Sequence, residues 1–473
     1  MFQRGLALVY LIAFLNAVNQ FKPLLGEHGL LPALLWIRQV PFRAYPSLFY
    51  FAPKDWMFSG AAWLGVALSG IALAGIAERF STPVSAVLWA LLWVLYLSFV
   101  NIGQTFYAFG WESILLEAGF YAIFLGSRAV APQWVMIILL RWLCFRVMFG
   151  AGLIKLRGDP CWRDMTCLDY HYETQPMPNP LSWYFHWGPE WTHRAGVWVN
   201  HFAELVAPFG YFLPQPVASI AGIVTIGFQA LIMASGNLSW LNLLTIVLAV
   251  PALDDRFLAA PLRISRPELH TPSLPHNVVV GLLAVIVAVL SIKPVANMLS
   301  PRQIMNTTFN PLHLVGTYGA FGGITRTRYE VVVEGASDKF PTVATQWREY
   351  EFRGKPTATG RRPPQIAPYH FRLDWLMWFA AMGDYSRHPW FVHFIGKLLE
   401  GDPGVLSLLR SNPFPDHPPR FVRASLYRYE FTTPEERKRS GQWWKRQYIA
   451  EYFPAISLEN EGLRHVFQEE GWQ

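Results

Sequence analysis

Residues 141–186 read RWLCFRVMFGAGLIKLRGDPCWRDMTCLDYHYETQPMPNPLSWYFH. The stretch begins inside an apolar segment that carries Arg141 and Arg146, and it reaches Lys155 where that segment meets water. A polar, aromatic and proline-rich loop follows. Charges in the interior of a bilayer are costly and face other protein groups or a polar cavity. The stretch therefore predicts a polar centre inside a membrane bundle, joined to a loop outside it.

The composition agrees with a membrane protein. Of 473 residues, 52% are hydrophobic, 16% are aromatic and only 15% are charged, and the long apolar runs lie mostly before residue 300. About 20 apolar residues span a bilayer as a helix, so membrane lipid is the first expected partner. The net charge of +7 fits basic loops near lipid headgroups. The basic residues are scattered and match no nucleic-acid motif, which argues against a nucleic-acid partner.

We predict a polytopic α-helical bundle over residues 1–299, with eight or nine spans and a long aromatic loop at 156–194. The first span is interpreted as a retained signal-anchor helix. The span count depends on whether the short segment 111–126 crosses. The predicted apolar segments are approximately 5–18, 56–77, 84–107, 111–126, 132–155, 195–213, 217–235, 238–252 and 277–298.

Residues 300–473 have a higher charge density and predict a water-facing α+β domain. Alternation and β-forming residues predict three strands, and residues 318–325 could supply a fourth. Apolar spacing predicts helices between and after them. The strands are placed at 318–325, 327–334, 346–352 and 424–431, and the helices at 371–382, 390–400, 404–410 and 434–452.

Six ionisable residues in apolar surroundings form the predicted intramembrane polar cluster. Structural ion pairing between neighbouring helices explains such a cluster, and so does a polar cavity for catalysis or substrate binding. His201 and Glu204 are three apart on one helix, and one histidine with one glutamate does not match zinc spacing. No metal and no cofactor is predicted. The cluster comprises Glu112, Glu117, Arg141, Arg146, His201 and Glu204.

Lys155 has two interpretations. A lysine at the end of a membrane helix commonly extends its ammonium group to the interface as an anchor. A buried lysine with a lowered pKa can instead act as a catalytic base. Cys161 and Cys167 share the exposed loop and could form a disulfide in an oxidising compartment, while their spacing matches neither a CxxC redox motif nor a zinc site. The loop itself suits either a partner surface or an aromatic lid at the membrane interface.

Several long stretches resemble the lipase maturation factor family. The resemblance implies a multi-span membrane protein that helps dimeric secreted lipases, such as lipoprotein lipase, to fold and assemble. It also implies a C-terminal client-binding domain, here about 300–473, with the strands TRYEVVVE and WREYEF as candidate edges. The resembling stretches are NIGQTFYAFGWESILLEAGF (101–120), residues 141–186, NHFAELVAPFGYF (200–212), LVGTYGAFGGITRTRYEVVVEG (314–335), APYHFRLDWLMWFAAM (367–382) and WWKRQYIAEYFP (443–454).

The chain is shorter than expected of animal members, which favours a bacterial homologue. In eukaryotes the resemblance implies the endoplasmic reticulum membrane, and in bacteria the cytoplasmic membrane. The shorter stretch FGAGLIKLRGDPCW (149–162) is similar to the AGxxKL-then-Trp motif of vitamin K-dependent γ-carboxylase and its bacterial transmembrane relatives. That second resemblance implies a related membrane fold, with Lys155 in the position of the proposed base.

Two hypotheses follow. In the first, the chain is a non-enzymatic membrane chaperone for secreted lipases or other exported proteins. In the second, it is a membrane enzyme that uses Lys155 as a base in a lipid-accessible cavity. The second requires a cavity that reaches Lys155, and it fails if the side chain points into the lipid headgroups.

Overall fold

The computed structural model describes residues 1–255, 269–469 and 471–472. Before residue 300 these residues are almost wholly helical. The helices are α1 Phe2–Leu25, α2 Ala33–Gln39, α3 Asp55–Leu73, α4 Thr82–Ile102, α5 Gly110–Ala122, α6 Trp134–Arg157, α7 Leu168–Thr174, α8 Ser182–His186, α9 Glu190–His201, α10 Ala207–Gly210, α11 Val217–Ser235, α12 Leu241–Ala249 and α13 Leu274–Leu299.

Contacts define two ends of this bundle. At the first end, Gln3 donates to the Gly126 carbonyl at 3.2 Å and His276 contacts the Phe124 carbonyl at 2.8 Å. At the second end, the side chain of Gln20 accepts from the backbone of Arg372 at 3.0 Å. Nine helical segments of the described chain run alternately between these ends: α1, α3, α4, α5, α6, α9 with α10, α11, α12 and α13.

Six of those segments, among the residues described, are long and apolar enough to cross a membrane by themselves: α1, α3, α4, α6, α11 and α13. The chain is therefore an integral membrane protein with a polytopic helical fold, as predicted. The other three segments are α5, with 13 residues, α12, with 9, and the interrupted pair α9 and α10. A π-helical turn, Phe202–Val206, joins α9 to α10.

After residue 300 the chain forms an α+β region at the second end of the bundle. Its central sheet has the strand order β4-β3-β5-β6, with all neighbours antiparallel. The elements are β1 Thr307–Thr308, β2 Gly316–Thr317, β3 Arg328–Ala336, β4 Arg348–Glu349, α14 Arg372–Ala380, α15 Pro389–Glu400, α16 Pro403–Leu406, β5 Phe421–Phe431, α17 Pro434–Ser440, β6 Trp444–Ile456 and α18 Glu461–Glu469.

The helix predicted over 434–452 is wrong in its second half. A capping box between Thr433 and Glu436 starts α17, and Gly441, with a φ of 71°, ends it. Only glycine takes that left-handed conformation without steric cost. The following residues pair with β5 as the 13-residue strand β6.

The predicted strand at 318–325 is also absent, because its backbone carbonyls bond to the turn that follows α6. Asp159 N donates to the Gly322 carbonyl at 2.7 Å, and Trp162 donates to the Phe321 carbonyl at 2.8 Å. The strand predicted at 346–352 is reduced to the two residues of β4. The stretch TRYEVVVE forms most of β3 apart from its first residue, and β3 lies inside the sheet and not at its edge. The long exposed edge of the sheet is β6.

The loop 156–194 contains regular secondary structure. It contains a 3₁₀ turn at Pro160–Trp162 followed by α7 and α8. Trp183 donates to the Thr432 carbonyl at 2.8 Å, and Gln175 donates to the Ser235 carbonyl at 2.9 Å. The loop therefore joins the end of α11 to the C-terminal sheet.

One hydrophobic core runs through both parts of the chain. The same cluster of buried side chains includes Phe14 and Leu116 from the bundle and Trp375 and Phe391 from the C-terminal region. This continuity fixes the C-terminal region against the second end of the bundle.

Candidate functional site

The side chain of Lys155 ends in a polar cluster that is buried inside the protein. Its Nζ donates to both oxygens of Glu204, at 2.7 and 2.8 Å, and to the Asn200 side-chain oxygen at 2.7 Å. The ammonium group also lies 4.9 Å from the centre of the Trp162 ring. The π-helical turn Phe202–Val206 carries Glu204, so the helix irregularity places the carboxylate opposite Lys155. Three oxygen acceptors match the three N–H donors of a charged lysine.

Glu117 and Arg146 form an ion pair between the consecutive helices α5 and α6. Arg146 donates to Glu117 from two nitrogens, one of them at 3.2 Å, and both side chains are almost fully buried. The C-terminal region completes the pair: Arg146 donates to the Gly316 carbonyl at 2.6 Å, and Tyr318 donates to Glu117 at 2.7 Å. Such a buried pair, held by several hydrogen bonds, stabilises one arrangement of its elements, because removing either partner leaves an uncompensated charge.

Glu112 pairs with a residue that sequence reasoning missed. Arg372, at the start of α14, lies 2.8 Å from Glu112 and also donates to Asn16 of α1 at 2.8 Å. A third bond, at 2.6 Å, joins Arg372 to the Phe106 carbonyl, and its guanidinium carbon lies 3.5 Å from the centre of the Tyr107 ring. Arg372 therefore connects the C-terminal region to three parts of the bundle.

Arg141 and His201 bond to backbone carbonyls. Arg141 donates to the carbonyls of Tyr211 and Pro251, at 2.9 and 3.0 Å, near the first end of the bundle. His201 contacts the Trp162 carbonyl at 2.9 Å and does not meet Glu204 through a hydrogen bond in the described structure. The predicted cluster is thus divided into separate bonded groups along the bundle.

Cys161 and Cys167 are joined by a disulfide, with their Cα atoms 4.8 Å apart. Both are buried in a small cluster with Trp162, Val197 and Ile324. The bond closes the turn that carries Trp162, the aromatic residue over Lys155.

A cavity of about 890 Å³ lies between the bundle and the C-terminal region, and it reaches Lys155. Helices α5, α6, α9, α11 and α12 supply its membrane side. Helix α14 and the segment 318–325 cover it. Representative lining residues from these elements are Ala151, Lys155, Leu231, Asn242, Phe321 and Trp378.

The cavity meets the requirement of the enzyme hypothesis, but the bonding of Lys155 favours a structural role. A base must present an unbonded lone pair to its substrate. Lys155 instead donates to Glu204 and Asn200. Among the described residues, no group of three or more histidine, cysteine, aspartate or glutamate side chains could hold a metal ion.

Three further polar residues of the bundle matter that the sequence did not single out. Asn16 and Gln20 of α1 contact the C-terminal segment around Arg372. Asn242 of α12 lines the cavity and is 2% exposed. Polar side chains within apolar helices were a usable signal for all three. Arg372 carried no comparable signal, since an arginine in a water-facing region is ordinary.

Comparison with known proteins gives a consistent result over both parts of the chain. Residues 1–260 match the family model described as the lipase maturation factor transmembrane domain, and residues 314–454 match that of the lipase maturation factor C-terminal domain. Lipase maturation factor 1 of Homo sapiens is 44% identical, with 99% of this chain and 89% of that protein covered.

Two further relatives extend the comparison. Lipase maturation factor 1 of Mus musculus is 42% identical, over 99% of this chain and 88% of that protein. Lipase maturation factor 2 of Homo sapiens is 29% identical, over 100% of this chain and 84% of that protein. No solved structure matches the chain.

Proposed function

The chain belongs to the lipase maturation factor family, and on this basis we propose that it is a membrane-embedded maturation factor for secreted lipases or other exported proteins. In this role it assists their folding and assembly. The observation that carries the proposal is the 44% identity over 99% of the chain, which includes both the bundle and the C-terminal region.

The C-terminal sheet supplies a surface suited to an incompletely folded client. Residues 447–451 in the middle of the edge strand β6 are exposed on both faces, including Tyr448 at 56% and Ile449 at 44%. An exposed strand edge offers unpaired backbone groups to an extended segment of another chain. We assign the client contact to this edge, in place of the two edges proposed from the sequence.

The disulfide supports a proposal for the compartment that the C-terminal region faces. The bond between Cys161 and Cys167 lies at the end of the bundle that carries the C-terminal region. Disulfides persist in oxidising compartments. The C-terminal region accordingly faces the lumen of the endoplasmic reticulum in a eukaryotic cell, or the outer side of the cytoplasmic membrane in a bacterium. Both locations hold exported proteins that are still folding.

The test is deletion of the gene in the source cell. We expect the secreted lipases to lose enzymatic activity per unit mass of lipase, and the wild-type chain to restore it. Measuring activity and mass together separates a folding defect from a defect of synthesis. Unchanged activity per mass after deletion contradicts the proposal.

A further inference from the structure

The cavity beside Lys155 has the size and lining of a binding site. Its volume of about 890 Å³ falls within the range of about 300–1,000 Å³ typical of small-molecule pockets. Apolar side chains from three membrane helices and from α14 form most of its wall, among them Ile114, Val147, Phe228 and Trp375. An apolar ligand is therefore favoured.

The mouth of the cavity is open on the side of α11. Leu231 lines the cavity and is still 43% exposed, and Phe379 near the end of α14 and Met382 just after that helix are 37% and 45% exposed. Ile220 and Ile223 lie on the same membrane helix and are also exposed. In a membrane-spanning helix such a face meets acyl chains, so the mouth is accessible from the lipid.

The charged groups that line the cavity are neutralised by partners. Lys155 is bonded to Glu204, and Asp159 lies 2.7 Å from Arg326. Burial lowers the pKa of His171 to about 4, so this side chain is uncharged at neutral pH. The described lining thus offers no unpaired charge to a charged headgroup.

The wall contains two buried polar atoms without a hydrogen-bond partner among the described residues, the Trp111 ring nitrogen and the Asn242 side-chain oxygen. Asn242 donates from its side-chain nitrogen to Gln229 at 2.6 Å, while its side-chain oxygen has no hydrogen-bond partner among the described residues. Buried polar atoms are normally bonded. Asn242 lines the cavity although this oxygen is buried, so a rotation of its amide toward the cavity lets a ligand hydroxyl donate to the oxygen.

We infer that the cavity binds an uncharged membrane lipid with a free hydroxyl group, of the mono- or diacylglycerol class. The acyl chain enters past Leu231 and lies along the apolar wall, and the hydroxyl bonds to Asn242. This site does not depend on the lipase-directed function and can be tested separately from it.

The test uses the purified full-length chain in phosphatidylcholine nanodiscs that contain a photoactivatable diacylglycerol. A matched probe carries a methyl ether in place of the hydroxyl. We expect the first probe to label peptides of α11, α12 and α14, and to label them about five-fold more than the second. That ratio corresponds to about 1 kcal/mol, the contribution of one neutral hydrogen bond.

Two pairs of variants locate the site. Leu231→Trp should block the mouth and remove the labelling, whereas Ile223→Trp, on the exposed face of the same helix, should not. Asn242→Leu should abolish the preference for the hydroxyl probe. Thr245→Val should keep it, since the Thr245 hydroxyl, also in the wall, already donates to the Leu241 carbonyl.

Equal labelling of the wild-type chain by the two probes overturns the inference, and this comparison needs no variant to fold. Labelling spread along the lipid-facing helices and insensitive to Leu231→Trp overturns it as well. The variants are compared only when they elute as single species of wild-type size.

Discussion

Removing Lys155 alone should destabilise the chain strongly, and removing Glu204 with it should reverse most of that loss. Each residue is only 4% exposed. In the variant Lys155→Met the Glu204 carboxylate keeps its bond to Asn200, at 3.2 Å, and loses its cation. Breaking a buried ion pair in this way costs about 3–5 kcal/mol. Replacement of both partners by apolar residues of similar volume is often close to neutral.

The assay compares three variants in detergent by thermal unfolding and in gene-deleted cells by lipase activity per mass. Lys155→Met should lose stability and maturation activity together. The double variant Lys155→Met/Glu204→Leu should recover both. Lys293→Met is the matched control: Lys293 is an exposed lysine of α13, and its loss should change stability by less than about 0.5 kcal/mol.

One result would refute this reasoning. If the double variant is as stable as the wild type and yet matures no lipase, the ammonium group of Lys155 takes part in chemistry. The enzyme hypothesis would then replace the structural role of the pair.

Three other predictions concern the junction between the bundle and the C-terminal region. Arg372→Met should leave Glu112 buried without its cation, which costs about 3–5 kcal/mol, and limited proteolysis should release the C-terminal region faster than from the wild type. Burial raises the pKa of Glu173 from 4.5 to about 7, so its contribution to stability falls as pH rises from about 4.5 to about 7, by roughly 3 kcal/mol. Glu173→Gln should remove that fall in the pH profile of unfolding. Replacing Cys161 and Cys167 by serine should cost about 2 kcal/mol, and reductant should destabilise the wild type but not this variant.

Local patterns in the sequence were sufficient to predict structural features that depend on residues close together in the chain. The apolar segment at 217–235 coincides with α11, Val217–Ser235. The pair between Glu117 and Arg146 joins consecutive helices, and the sequence placed charged residues on both of these helices without assigning partners. Both features depend on residues within about one helical hairpin of each other.

The features that the sequence did not predict depend on contacts between residues that are far apart in the chain. Arg372 lies 260 residues from Glu112, and no local pattern connects them. The segment after Gly441 has a basic and aromatic composition that also suits a helix, and pairing with β5 makes it a strand. The cavity likewise depends on α14 closing over the membrane helices. Periodicity in a single sequence does not encode such docking.

The central claim is that the chain holds secreted lipases before they are fully assembled, and site-specific crosslinking tests it most directly. A photoreactive phenylalanine replaces Tyr448 in the exposed edge of β6, and the control carries it at Phe340, which is 71% exposed in the same C-terminal region. We predict that newly made lipase crosslinks at position 448 and not at 340, and that the crosslink disappears once the lipase is assembled. Absence of lipase from the adducts, or equal crosslinking at both positions, would contradict the account.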